Sequence, residues 1–224
     1  MSPRRLPRSW FARDVLDVAP DLLGCTIEHA GVTVRVTETE AYGGWRQDPG
    51  SHAFRGETRR TAPMFGPAGV TYVYFTYGMH WMLCLVTGPA GQAQAVLVRA
   101  GEVIAGHPVA QARRVGVSPR DWTRGPARLA SALALDGSHS GRDLCVPTLS
   151  PRTAGLRLAG PPIDLVVRAA PAAADPALVR TGPRVGVSGP GGDGTAYPWR
   201  FWLEGERSVS SYRPAGRRRS VAGR

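Results

Sequence analysis

The chain has 224 residues, with 28 Lys+Arg against 17 Asp+Glu, and so carries a formal charge of +11. Every one of those cations is an arginine: lysine is absent, and so is asparagine, which excludes a lysine Schiff base and a phosphate-binding P-loop. The length fits one domain with a sizeable core, and no apolar run approaches the ~18 residues of a membrane helix. No signal-peptide core follows the N-terminus, so a cytoplasmic protein is expected. Cys25, Cys84 and Cys145 stand at long spacings without a C-x-x-C or H-x-E pattern, which reads as buried thiols, with no metal or cofactor expected. The surplus of positive charge favours a polyanionic partner, nucleic acid ahead of anionic lipid. A GC-rich codon bias would by itself remove Lys and Asn.

In chain order, residues 1–10 and 213–224, the latter holding Arg217, Arg218 and Arg219, read as basic arms around a domain spanning 11–212. Residues 11–23 read as a helix, and 25–42 as a strand pair turning at Ala30 and Gly31. In the second strand Val32, Val34 and Val36 alternate with Thr33, Arg35 and Thr37. Glu38 and Glu40 share the parity of the valines, so a strand that runs on carries two carboxylates on its apolar face. Buried carboxylates need partners, and such a strand end must open into a cleft or meet arginines; the alternative is a strand that stops at Thr37.

Residues 43–69 form a long loop, of a length more often functional than filler. An aromatic strand over 71–77 then breaks at Gly78 and returns through Met79, His80 and Trp81, giving a hairpin with a bulky tip. Residues 95–100 supply a buried strand. Helices are expected from His107 to Arg114 and from Pro126, the second burying Leu129, Ala130, Leu133 and Ala134 before Gly137. Residues 151–180 read as short strands and Pro-rich turns, and 199–204 as a last strand. The pentapeptide Arg-Val-Gly-Val-Ser occurs at 114–118 and 184–188 with no similarity around it.

Val-Thr-Glu-Thr-Glu-Ala-Tyr at 36–42, His52, the run 71–81, Val-Leu-Val-Arg-Ala at 96–100, Arg-Gly-Pro-Ala-Arg-Leu at 124–129 and Arg-Val-Gly-Val at 184–187 together resemble the alkyladenine DNA glycosylase family, also called 3-methylpurine glycosylases. The resemblance spans roughly residues 11–210. It implies a mixed α/β (α+β) single domain, with a curved antiparallel sheet flanked by helices and a protruding β-hairpin wedge. It also implies a monomer that acts on double-stranded DNA containing alkylated purines, with no membrane association.

The resemblance assigns roles residue by residue. Glu40 is the general base that activates water, and Arg99 helps position that water while favouring the ionised carboxylate. Tyr42, His52 and Tyr74 surround the flipped base; a cationic alkylpurine stacks well on electron-rich rings. Tyr77 enters the minor groove in place of the flipped nucleotide, flanked by Met79 and His80. A carbonyl within 208–210 is expected to complete the water site, and Glu38 to be structural or paired with an arginine. Where the family usually has an asparagine that crowds the exocyclic amino group of guanine, this chain has Cys84. A smaller, weakly bonding thiol predicts relaxed acceptance of N3- or N7-alkylguanine, bulky adducts included, as would suit self-resistance in a producer of a DNA-alkylating compound. Two other classes stay open: a non-catalytic binder of alkylation damage, and a single-strand module whose tyrosines stack bases.

Overall fold

The computed structural model describes residues 4–145 and 163–215. Two short helices, α1 (Arg8–Phe11) and α2 (Val15–Asp21), replace the single helix expected over 11–23. Asp14 explains the break: its carboxylate accepts the Leu16 amide at 2.9 Å and caps a new helix start. Eight strands follow: β1 (Thr26–His29), β2 (Val32–Tyr42), β3 (Thr71–Thr76), β4 (His80–Thr87), β5 (Gln94–Ala105), β6 (Val166–Arg168), β7 (Val179–Gly182) and β8 (Arg200–Leu203). Between β5 and β6 lie α3 (His107–Arg113) and α4 (Pro126–Ala132).

The strands form one open antiparallel sheet in the order β3-β4-β5-β2-β1-β6, with β8 also paired to β2 and to β7. Along one edge β2 pairs with β5, and along the other first with β1 and then with β8. The fold is thus the mixed α/β domain that the sequence implied. The expected strand pair turns at Ala30 (φ 46°) and Gly31 (φ 80°), and the strand of 199–204 is β8. In α4, Leu129, Ala130 and Leu133 are buried as expected, whereas Ala134 leaves the helix with φ 52° and faces solvent. Residues 4–6, read from sequence as part of a free arm, lie beside β6: the Leu6 amide donates to Val167 O at 2.9 Å and Leu6 is buried. The two copies of Arg-Val-Gly-Val-Ser each turn at Val-Gly, with Gly116 at φ 73° after α3 and Gly186 at φ 72° after β7. Much of the Pro-rich stretch after 145 and the arginine triplet at 217–219 lie outside the described residues.

The sheet separates two apolar clusters. Val15, Val18 and Ala19 of α2 and Leu129, Ala130 and Leu133 of α4 pack on Val34, Val36, Val96 and Val98. The opposite face carries a smaller cluster of Tyr72, Cys84, Ala95 and Leu97, covered by Ala53 and Met64 from the long loop. Alternation along β5 puts Val96 and Val98 on the helical side and Ala95 and Leu97 on the other.

The strand β2 does not stop at Thr37, and its carboxylates do not share the valine face. Pairing with β5 is irregular between Val36 and Thr39, and both strands exchange faces there, as at a β-bulge. Beyond it Thr39 and Ala41 face the helices, Thr39 Oγ1 donating to Ala19 O at 2.8 Å. Gly101 lies opposite Val36, where a Cβ would fall 2.3 Å from a Val34 methyl and 2.5 Å from Arg35 O. Only glycine allows that approach. The exchange turns Glu38 and Glu40 to the cluster side of the sheet.

Candidate active site

Both glutamates are fully buried, and each has its own set of donors. Glu38 accepts Arg99 Nε at 2.8 Å and Arg200 Nε at 2.7 Å on Oε1. The Ser210 amide adds a bond to Oε2 at 2.7 Å and the Ser210 hydroxyl one to Oε1 at 2.8 Å. Burial opposes the Glu38 charge, but Arg99 and Arg200 outweigh it and hold the carboxyl below its ordinary range.

Glu40 accepts the Val185 amide on Oε1 at 2.7 Å and the Tyr42 hydroxyl on Oε2 at 2.9 Å. Arg99 Nη1 stands 3.3 Å from Oε1. Arg99 therefore bridges the two carboxylates, and they outweigh its burial to keep the guanidinium charged. The segment 208–210 reaches Glu38 through the Ser210 amide and hydroxyl. Two of its carbonyls accept arginines: Val209 O from Arg124 Nε at 2.9 Å and Ser210 O from Arg200 at 2.7 Å.

Beside the Glu40 partners Tyr42, Arg99 and Val185 lies a cavity of about 290 Å³ that all three line, its walls also including His52, Tyr74, Tyr77 and Cys84. Cys84 stands across the sheet from Tyr72 and Leu97, both on the same cluster. Burial pushes its thiol well above the ordinary value, with Glu40 adding to the shift. Tyr74 stacks on Tyr72 at 5.1 Å, and the His52 ring meets the Tyr74 ring edge-on at 4.7 Å. His52 Nδ1 lies 3.1 Å from the Tyr72 hydroxyl. Although the His52 side chain reaches solvent, loss of water around the ring, then the Arg60 charge, lower it from 6.5 to about 4. The imidazole is neutral at neutral pH.

A second, wider groove of about 950 Å³ is lined by Arg114, Arg124, Arg128 and Arg213, with Asp121 as its acidic member. The two hollows share Arg99, Met82 and Val185, the first and last of which touch Glu40. The β3–β4 hairpin stands at this junction: Tyr77 borders the cavity, Met79 and His80 the groove. Tyr77 is 75 % exposed and Met79 67 % exposed. Tyr77 (φ 53°) and Gly78 (φ 66°) both hold left-handed backbone, and the Met79 amide returns to Thr76 O at 3.2 Å. A bulky aromatic residue in that region is rare. Behind the tip, Phe75 and Trp81 pack ring to ring at 4.7 Å, and Gly137 leaves room for Trp81, since a Cβ there would lie 2.7 Å from the indole.

A profile of the methylpurine-DNA glycosylase (MPG) family matches residues 9–207. A protein of Streptomyces avermitilis named "Putative 3-methyladenine DNA glycosylase" is 48% identical over 219 residues, covering 95% of this chain and 94% of its own. Proteins of the same printed name from Frankia casuarinae, 47% identical with 94% of each chain covered, and Carboxydothermus hydrogenoformans, 40% identical with 92% and 98% covered, match as well. The chain belongs to the methylpurine-DNA glycosylase family.

In this member of the methylpurine-DNA glycosylase family, one constellation escaped the sequence reading. Arg184, only 1% exposed, grips Asp48 with both nitrogens at 2.6 and 2.7 Å. It also donates to Ala41 O at 2.9 Å and Gly191 O at 2.7 Å, and lies over the Tyr42 ring at 4.5 Å. Asp48 in turn accepts the amides of Gly43 and Gly50 at 3.0 and 2.9 Å. This buried pair ties the long loop to the segment carrying Val185, and so sets the amide that holds Glu40. A Cβ on Gly50 would lie 2.5 Å from Arg184; that glycine, and the second Arg-Val-Gly-Val itself, were the available signals.

Proposed function

We propose that this chain is a monofunctional DNA glycosylase, one that flips an alkylated purine out of duplex DNA and hydrolyses its N-glycosidic bond with water activated by Glu40. The observation that carries the reading is the shared edge of the two hollows, formed in part by Arg99 and Val185, which both contact Glu40. An aromatic cavity suits a base, an arginine-lined groove suits a sugar–phosphate backbone, and the bond between base and sugar then falls where they meet. Tyr42 and Tyr74 offer faces to a cationic alkylpurine. His52 stays neutral beside it and adds no repulsion. Tyr77, raised on an exposed turn between the hollows, is suited to fill the gap left by the extruded nucleotide. Without lysine, the reaction has no side-chain amine for a strand-cleaving imine.

Incubating alkylated duplex DNA with wild type and with Glu40→Gln, and measuring released base and heat-labile abasic sites, tests the reading. Wild type releases base and the variant loses roughly 10²–10⁴-fold in rate. Release that survives in the variant removes Glu40 from the general-base role; no release by either protein favours a damage-binding function.

The finer reading concerns guanine. Cys84 is a small, uncharged group in the cavity wall, and a carboxamide at that position would contest the exocyclic amino group of guanine. Acceptance of N3- or N7-alkylguanine, bulky adducts included, follows. In Cys84→Asn, excision of 7-methylguanine relative to 3-methyladenine falls roughly tenfold or more; an unchanged ratio refutes the assignment.

A further inference from the structure

Tyr42 carries a hydroxyl that stacking on a base does not need, and this hydroxyl donates to Glu40 Oε2 at 2.9 Å. The two oxygens of Glu40 differ. Oε1 accepts the Val185 amide at 2.7 Å and carries the ion pair with Arg99 Nη1 at 3.3 Å, so the cation and the backbone donor are both gathered on it. Oε2 meets the Tyr42 hydroxyl and keeps room for one more donor. We propose that Oε2 is the oxygen that takes the proton from the attacking water, and that the Tyr42 hydroxyl is a positioning group that aims it. This rests on the glycosylase reading above and extends it.

The step balances without any co-reactant. The water oxygen bonds to the anomeric carbon as its proton passes to Oε2. The bond from that carbon to the purine nitrogen breaks, and its electron pair leaves with the purine, cancelling the positive charge of an alkylated base. Tyr42 gives up no proton in this. Burial, with Glu40 beside it, pushes the phenol well above its ordinary value, so the phenol keeps its proton and is the donor. The ring is fixed from behind by Arg184, whose guanidinium lies 4.5 Å from its centroid and is itself locked to Asp48. The hydroxyl therefore sits at the end of a rigid arm.

Other charged or titratable groups facing Glu40 are Arg99 from β5, Arg184 from the segment after β7, Tyr74 from β3 and Cys84 from β4. Arg200 stands in register opposite it on β8, and Glu38 shares Arg99 with it. Replacing Tyr42 by Phe leaves all of these in place and keeps the stacking ring.

The decisive comparison is wild type against Tyr42→Phe, each full-length, in single-turnover excision from a duplex with one 3-methyladenine or 7-methylguanine between pH 5 and 9. Affinity for a duplex bearing an abasic site is measured alongside. The variant is expected to lose roughly tenfold to a hundredfold in rate, the worth of a hydrogen bond to a charged group. Its acid limb moves to higher pH, because a donor that favoured the ionised carboxylate is gone, while affinity changes less than twofold. A Tyr42→Phe protein with wild-type rate and acid limb, or one whose whole loss lies in affinity, overturns the assignment and leaves Tyr42 as a stacking ring only. If wild type itself releases no base, the glycosylase reading falls and this assignment falls with it. Melting temperature identifies any loss due to misfolding, and in that case Tyr42→Trp, which restores a ring but no hydroxyl, must also lack the wild-type acid limb; its recovery overturns the assignment.

Discussion

The sheet around Glu38 and the sheet around Glu40 lie two residues apart on one strand and are equally buried, yet they are built to opposite ends. Around Glu38 four donors close in, two arginines and both polar groups of Ser210, and the neighbouring carbonyls of Val209 and Ser210 accept Arg124 and Arg200. Around Glu40 the donors are fewer, and two of its neighbours, Arg99 and Val185, line both hollows. From there to the hairpin tip, strain and exposure increase. A closed network of this sort fixes structure, while neighbours that line a cavity and a strained turn are what chemistry and base extrusion require. If that contrast is right, damage near Glu38 appears as lost stability, and damage from Glu40 outward appears as lost chemistry.

The largest effect on folding is expected at Glu38. Glu38→Gln leaves Arg99 and Arg200 buried with one partner charge too few, which costs about 3–5 kcal/mol. At this chain length that corresponds to roughly 10 °C in Tm. Thermal unfolding of the variant measures it, and a Tm within two degrees of wild type would erase the distinction between the two regions.

At the hairpin tip the signs part. Tyr77 holds φ 53° beside Gly78 at φ 66°, the pattern of a type I′ turn, which Asn-Gly fills best. Tyr77→Asn relieves about 1 kcal/mol of backbone strain, so Tm rises by a few degrees, while excision from duplex DNA falls roughly tenfold, as the gap left by the flipped base goes unfilled. Excision from a single-stranded or mismatched substrate, where extrusion is easier, suffers less. A variant both less stable and equally active would contradict the idea that strain at this tip serves function.

The same contrast explains what was legible beforehand. Alternation in β2, the aromatic run of β3 and Pro126 at the head of α4 are local signals, and the elements appear where they point. The pocket residues Tyr42, His52, Tyr74 and Cys84, drawn from separate stretches, line one cavity, because the resemblance supplied long-range pairing that periodicity cannot. The face of Glu38 and Glu40 was misread because parity assumes an unbroken ladder. The exchange of faces is a two-strand event, and its one local sign was Gly101 inside a strand. The break between α1 and α2 was missed because Asp14 was counted as a helix residue and not as a cap. Arg184 and Asp48 are 136 residues apart, and neither carries a local pattern that foretells the other.

The smallest effect concerns His52, on the open side of the comparison. Its folded value of about 4 lies below the ordinary 6.5, so between those values the unfolded chain binds the proton and the native protein resists it. The contribution to stability is complete above pH 6.5 and is lost as pH falls towards 4. Because the side chain reaches solvent, the size is modest and solvent-screened. Wild type should therefore lose Tm more steeply than His52→Gln on going from pH 6.5 to 4, while the two curves run parallel above pH 7. Curves that stay parallel throughout would mean that His52 is as readily protonated in the fold as in the unfolded chain. The cavity would then present a positive charge to a cationic base at mildly acid pH, and the neutral edge that His52 offers beside Tyr74 would be confined to neutral and alkaline conditions.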